Sequence, residues 1–401
     1  MNAVSLAVAA VRSRPLHSTL SVTAAAAGIA LLCAIFLLSQ AIDEGLSRNA
    51  RGIDVVAGAK GSPIQLVLSA IYHADVPGGN IDMEDYRRLA HNPQVKQAIP
   101  LALGDNYKGW RVVGTTADYL SLYHAQIAEG RVFSQPFEAV AGALTGLPVG
   151  ARFAALHGFA AGSDDVHNFH LYTITGLLKP TGTVLDRLIT TPVESVQQLH
   201  SHPDADDPDA AEELKLGHQV TAVLLKVKSP IAIMNLPREI NRSTNILAAS
   251  PGYQMARLSR SLGFGRDVLT ALGIGIVVLS MLMLLSTLAS SLTARRYDLA
   301  VLRVLGASPV KLSSTVIAEG LLLSAIGSIA GLIAGHCIAY VLASTVGSLS
   351  GLVLPVTLLA PQPWDAVFLM IGLGAGLVAG LVPALSAAQT DIAGLLARGR
   401  A

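Results

Sequence analysis

The 401-residue chain is 52% hydrophobic and only 14% charged, with a formal net charge of +1. Soluble domains carry about 25% charged residues, so the composition points to a membrane, and the near-neutral balance leaves no electrostatic footprint for nucleic acid. Both cysteines, Cys33 and Cys337, lie in apolar segments, which excludes a disulfide framework for the rest of the chain.

The first apolar run covers about 18–42, is uncharged between His17 and Asp43, and follows Arg12 and Arg14. Its length suffices to cross a bilayer, for which about 20 residues are needed. A signal peptide has an apolar region of only about 7–15 residues and a small-residue cleavage site. This run is longer and leads straight into Asp43-Glu44, so it reads as an uncleaved anchor. Residues of about 44–266 then form one stretch of mixed polarity, roughly 215 residues long and large enough to bury its own core.

Within that stretch, Ile53–Ala57 and Trp110–Gly114 read as strands from their β-branched and aromatic content. Asp82–Leu89 reads as a helix starting at an acidic cap. Leu171–Leu178 and Thr221–Val227 alternate like half-buried strands, and Pro180-Thr181-Gly182-Thr183 supplies turn chemistry before a strand at Arg187–Thr191. Residues of about 137–228 are expected to form an inserted, β-rich second lobe. Helices at about 230–241 and 251–264 follow, the latter running toward the next apolar run as a stalk.

Two segments of this stretch invite chemical readings. Ala57-Gly58-Ala59-Lys60-Gly61-Ser62-Pro63 lacks the order of a phosphate loop and reads as a glycine turn between strand and helix. No Walker-type loop occurs elsewhere, so the chain is expected to be non-catalytic and to hold no cofactor. His200, His202, Asp204, Asp206, Asp207, Asp209 and His218 offer groups that suit zinc, with His167 and His170 nearby in sequence. Their spacing matches no ligand pattern, and a Pro/Asp-rich stretch reads first as a solvated loop; no metal site is assigned.

Three more apolar runs follow, at about 268–293, from about 312, and at about 366–390, the last followed by Arg398 and Arg400. Between the second and third lies a short charged segment, Arg295 to Pro309. Its cations, with Lys311 just beyond, are what a cytoplasmic loop carries, so both termini are expected in the cytoplasm and residues 46–265 outside it. Leu299, Leu302 and Leu305 recur at helical spacing. Gly306 stands where a C-terminal cap belongs, and Ser308-Pro309 reads as the N-cap and first position of the next helix.

This loop resembles the signature of the MacB/FtsX/LolC-LolE family of type VII ABC-transporter permeases. There an Arg-rich turn, an LRxLGA core and a Glu about a dozen residues later recur. Here those are Arg295-Arg296, Leu302-Arg303-Val304-Leu305-Gly306-Ala307 and Glu319. Val113-Gly114 with Asp118-Tyr119, then Gly130-Arg131-Val132-Phe133, is similar to a pattern of MacB-like periplasmic domains. The resemblance implies four transmembrane helices with a large α+β periplasmic domain inserted between helices 1 and 2. It implies coupling to a separate cytoplasmic ABC ATPase, which would bind ATP and Mg, through Arg295, Arg296, Asp298, Leu299, Leu302, Arg303, Leu305, Gly306, Ala307 and Glu319. A second permease copy, as a homodimer or with a similar paralogue, and a periplasmic or outer-membrane partner belong to the same expectation. An FtsX-type regulatory subunit that transports nothing is the alternative, and a metal-linked system using the His/Asp-rich loop is a third.

Glu319 lies about eight residues, roughly 12 Å, beyond the start of the third run. Intramembrane carboxylates default to functional hypotheses, and pairing with a cytoplasmic-side arginine is the structural reading favoured for it. His336 is placed near the outer interface with no role. Gly327, Gly331 and Gly335, and Gly372, Gly376 and Gly380, form small-residue stripes that let helices approach closely in lipid, either within one chain or at a dimer seam. The topology is testable: a reporter fused at Asp204 should be active only outside the cytoplasm, and N-terminal sequencing of purified protein should recover Arg12 and Arg14. Cytoplasmic activity, or a mature start near residue 41, would reverse this reading.

Overall fold

A computed structural model describes residues 3–157, 170–199, 218–295, 300–301, 303–350 and 356–388. They divide into a helical unit, made of Met1–Ala41, Leu262–Ala343 and Val356–Ala401, and an α/β unit, made of Ile42–Ser261 with Ser344–Pro355. In chain order the helices are α1 (Ala3–Ser13), α2 (Pro15–Asn49), α3 (Pro63–Ala70), α4 (Met83–Ala90), α5 (Ala117–Leu122), α6 (Val193–Leu199), α7 (Pro230–Ser243), α8 (Pro251–Ala294), α9 (Pro309–Ser350) and α10 (Asp365–Ala388). Four of them, α2, α8, α9 and α10, are long and apolar enough to cross a membrane. The expected stalk at 251–264 and the second apolar run are one uninterrupted helix, α8.

The strands of the α/β unit are β1 (Val55–Ala59), β2 (Ile81–Asp82), β3 (Val95–Tyr107), β4 (Trp110–Thr115), β5 (Ile127–Gly130), β6 (Glu138–Ala141), β7 (Arg152–Phe153), β8 (Leu156–His157), β9 (Tyr172–Leu178), β10 (Leu188–Pro192), β11 (Gln219–Val220), β12 (Ala222–Val227) and β13 (Ile246–Ala249). One mixed sheet runs β13-β1-β12-β3-β4-β10-β6-β9-β5, with β7 beside β9 and β8 beside β3; β11 and β2 form a separate pair. β10 runs parallel to β4 and β6 parallel to β9, while the other pairs are antiparallel.

The pairing corrects three expectations. β12 is not half-buried: Ala222, Val223, Leu224, Leu225 and Val227 are all buried. Leu224 packs with Ile99, Leu101, Val67 and Tyr119 on one face, and Val223 and Leu225 pack with Val55, Ala57, Leu236 and Ile240 on the other. A strand covered on both faces loses its alternation. Secondly, 137–228 does not stand apart as a lobe. Residues 138–192 do share a core of their own, with Val112, Ala141, Tyr172, Ile174 and Ile189, but β12 at the end of that range is inserted between β1 and β3. Thirdly, Asp82 stands at the N-cap position of α4 without its side chain capping the helix; its carboxylate accepts a hydrogen bond from Gln219 Nε2 at 3.0 Å instead.

The end of α2 is held firmly within the α/β unit. The last carbonyls of a helix have no partner inside it. Here Tyr72 donates its hydroxyl to the Leu46 carbonyl at 3.0 Å and Tyr123 donates to that of Asn49 at 3.0 Å. The fully buried Asn49 side chain donates to the Gly45 carbonyl and accepts from the Val184 amide. The turn carrying Val184 is fixed in turn by Asp186, whose carboxylate accepts from the Thr181 amide and hydroxyl and the Gly182 amide, each at 2.8 Å.

Beside these tyrosines sits His73, buried with a positive φ of 50°. Its Nε2 meets the Tyr119 hydroxyl at 3.0 Å. Burial, with the Arg111 charge as a smaller contributor, pushes its pKa down from 6.5 to about 3. The unfolded chain therefore takes up a proton near pH 6.5 that the folded chain refuses until about pH 3. The contribution of neutral His73 is complete above pH 6.5 and is lost as the pH falls through that window. Replacing His73 with Asn, which tolerates positive φ, should flatten the acid limb of the melting curve by up to about 1.4 kcal/mol per pH unit. Thermal unfolding of the full chain in detergent between pH 7 and pH 4 reads this directly; parallel curves for the two proteins would remove His73 from the account.

Candidate functional site

The charged loop and the helix ends around it were the chief functional expectation. Residues 300–301 and 303–304 are helical, the Leu305 amide donates to the Val301 carbonyl and the Gly306 amide to that of Arg303, each at 3.0 Å. Gly306 then takes φ 95°, a backbone shape that non-glycine residues rarely adopt. α9 begins at Pro309, with Ser308 Oγ accepting from the Lys311 amide at 3.3 Å. Arg296, Asp298, Leu299 and Leu302 lie outside the described residues.

The side chains divide the loop into an inner and an outer surface. Ala300 is fully buried, while Val304, Leu305 and Val310 are 65%, 77% and 76% exposed and Val301 is exposed as well. Ala307 is half-buried. Three apolar side chains thus face outward on this short capped segment, and Val310 does so in the first turn of α9.

Arg295 does not point outward to a partner. Its Nη2 donates to the Ala10 carbonyl at 3.2 Å and to Ser13 Oγ at 2.5 Å, tying the loop to α1. No element is assigned from the sequence to the residues before Arg14. The signal available was the helical recurrence of Val4, Ala7, Val8 and Val11, of which Ala7 is buried. Arg303 keeps Nη1 buried without a hydrogen-bond partner among the described residues. Glu319 is 8% exposed inside α9, where the positive charges of Arg295 and Arg14 act on it. It forms no direct ion pair with either among the described residues.

The glycine stripes meet neighbours within this chain. A Cβ on Gly327 would stand 2.7 Å from Ala25 Cβ, one on Gly331 2.6 Å from the Ala26 carbonyl, and one on Gly335 2.8 Å from Cys33 Cβ. All three therefore press α9 against α2. Gly376 sits 2.9 Å by the same measure from the Gly320 carbonyl, Gly372 meets the Ser328 side chain, and Gly380 lies against Ile317, so the second stripe presses α10 against α9. Ser280 Oγ donates to the Ala24 carbonyl at 2.6 Å, and Ser21 and Thr287 hydroxyls meet at 3.1 Å, joining α8 to α2. Between the four helices remains a cavity of about 20 Å³ lined by residues such as Ile29, Val277, Leu284 and Ala375. That is room for about one water.

The MacB-like pattern in the α/β unit has a structural account as well. Gly114 passes so close to α6 that a Cβ would stand 2.7 Å from Val196 Cγ2. Tyr119 is the buried partner of His73. Gly130 takes φ 78° against the Thr175 carbonyl, and Arg131 pairs with Glu138, holding that carboxyl down to about 2 together with the Ser134 and Gln135 amides. Phe133 closes the core. The acidic and histidine-bearing segment 200–217 and His167 lie outside the described residues; His170 stacks on Phe137 and His218 is exposed.

Two family models match the chain: the FtsX-like permease C-terminal model over residues 270–392 and the MacB-like periplasmic core domain model over residues 18–243, more than half of the chain. No curated protein sequence matches it. Among solved structures it is similar to the periplasmic region of MacB from Actinobacillus actinomycetemcomitans, at 10% identity and a TM-score of 0.33, over 53% of this chain and 97% of that one. It is also similar to the extracellular domain of the noncanonic ABC-type transporter YknZ from Gram-positive bacteria, at 13% identity and a TM-score of 0.30, over 49% and 98%. Family membership rests on the family models. With four helices fit to cross a membrane and both models in their expected order along it, the chain belongs to the MacB/FtsX-like family of type VII ABC transporter permeases.

Proposed function

We propose that this chain is the membrane subunit that transmits ATP hydrolysis by a separate cytoplasmic ATPase to movement of a periplasmic domain at residues 46–265. A substrate is then exported or extracted at the periplasmic face of the bacterial inner membrane, with both termini of the chain in the cytoplasm. The permease works beside a second copy or a similar paralogue, and ATP and Mg are held by the ATPase. The observation that carries this reading is the outward set of Val301, Val304 and Leu305 on the capped loop between α8 and α9, continued by Val310 in the first turn of α9. Apolar side chains exposed on a charged loop mark a docking surface, and the helix beneath is tied to α1 through Arg295. A push on the loop is therefore received by α8, α9 and α1 together.

One further observation supports the same reading. The match to the MacB-like periplasmic core domain favours a transport subunit over a purely regulatory one.

Replacing Leu305 with Asp leaves the fold nearly untouched, because exposed substitutions change stability by about 0.5 kcal/mol or less. It places a charge in the apolar contact and should weaken ATPase binding by about tenfold or more, a cost of at least about 1.4 kcal/mol. Co-purification of the ATPase with the full-length permease, together with the ATPase rate of the complex, measures this. Wild-type assembly and an unchanged rate would remove the loop from the coupling path.

A further inference from the structure

Three side chains from three different helices converge near the start of α10. They are Cys33 from α2, His336 from α9 and Asp365 at the start of α10, and their Sγ, imidazole nitrogen and carboxylate oxygen lie within 4.8 Å of one another. Cys33 is fully buried and His336 is 8% exposed. In a tetrahedral zinc site, with bonds of about 2.0–2.3 Å, neighbouring donor atoms stand roughly 3–4 Å apart. His336 Nε2 and Asp365 Oδ1, 3.0 Å apart, already stand at that spacing.

The hydrogen bonds orient the group for this chemistry. His336 Nδ1 lies 2.5 Å from the Leu358 carbonyl. A carbonyl oxygen only accepts, so Nδ1 carries the proton and donates it. Nε2 is thereby left facing Asp365 Oδ1 at 3.0 Å, and one proton must lie between them, because two bare acceptors would repel. The other Asp365 oxygen accepts from the Gln362 amide at 2.8 Å, which fixes the carboxylate. A ligating histidine whose second nitrogen is held by a backbone carbonyl, beside an anchored carboxylate, is the arrangement that surrounding groups impose on metal ligands.

The sulfur has been given room by design of the backbone. A Cβ on Gly335 would stand 3.0 Å from Cys33 Sγ, so only glycine lets the thiol reach the residue beside His336. Phe36, one helical turn beyond Cys33, meets Trp364 and Phe368 edge to face, with centroids 5.4 and 5.7 Å apart. The Asp365 side chain stays 20% exposed, which leaves a path for an ion.

We propose that Cys33, His336 and Asp365 form a three-ligand site for zinc(II), fastening α2, α9 and α10 to one another at this end of the bundle. One sulfur, one imidazole nitrogen and one carboxylate oxygen form a donor set of the borderline softness zinc takes, and the fourth position falls to water. Binding displaces the thiol proton of Cys33 and the proton shared by His336 and Asp365, so two protons leave for each ion that enters.

Cobalt(II) provides a test that the many surface histidines and acids cannot imitate, because only a thiolate ligand gives a sulfur-to-cobalt charge-transfer band. The full-length protein in detergent is titrated with cobalt and then with zinc as competitor. The expected result is one equivalent of cobalt bearing that band, displaced by zinc. The band should persist in Cys337→Ser and vanish in Cys33→Ser, and binding should weaken by more than about tenfold in His336→Gln, since even outer-shell changes cost about 10–100-fold. A wild-type titration without the band, or a band that survives Cys33→Ser, overturns the proposal. Because the first of these outcomes needs only the wild-type protein, a variant that fails to fold does not shelter the idea.

Discussion

Backbone contact along α9 is the constraint on which the helical unit depends. In lipid there is no hydrophobic drive to bring helices together, so association relies on close packing and interhelical hydrogen bonds. α9 meets this by presenting Gly327, Gly331 and Gly335 to α2 and receiving Gly372, Gly376 and Gly380 from α10. The remaining circumference is free for large apolar side chains such as Ile326, Ile329, Ile333 and Val341, which stay exposed and suit a lipid surface. The convergence of Cys33 with His336 follows from the same approach, since it requires the two backbones to meet at Gly335.

The α/β unit solves a different problem, that of finishing a long apolar helix inside a packed core. Two tyrosine hydroxyls and the Asn49 side-chain amide donate to carbonyls at the end of α2. Each of these partners sits in the hydrophobic core, where an unmade hydrogen bond costs about 1–3 kcal/mol. The end of the helix is thus specified by groups that lose more by letting go than by holding on.

What could be read in the sequence follows from how local each signal is. The four apolar runs, the Gly306 and Ser308-Pro309 caps, β4, β9, β10 and α7 are set by composition and spacing over a few residues. β3 escaped notice because Pro100 and Gly104 interrupt it. In the fold Pro100 lies beyond the β4 ladder, which begins at Ala102, and Gly104 falls in the bulge between Leu103 and Asp105. The burial of β12 on both faces, the return of Arg295 to α1 and the meeting of Cys33 with His336 and Asp365 join residues up to more than 300 positions apart. No local pattern encodes such encounters. The stripes were visible, but their partners became clear only once the helices had neighbours.

The position of β12 also governs how this chain is made. β1 is spoken for by β12 and β13, whose residues are synthesised some 165 to 190 positions later. Until residue 227 is present, β1 has neither neighbour and β3 lacks one, and β13 completes the edge of the sheet only at residue 249. A sheet completed by its most distant strands closes slowly, with open edges that invite aggregation while it waits. For this chain, the hazardous interval is therefore the time between the appearance of the first strand and that of the last, and a cell that overproduces it should be limited by the capacity to guard unpaired edges over that interval.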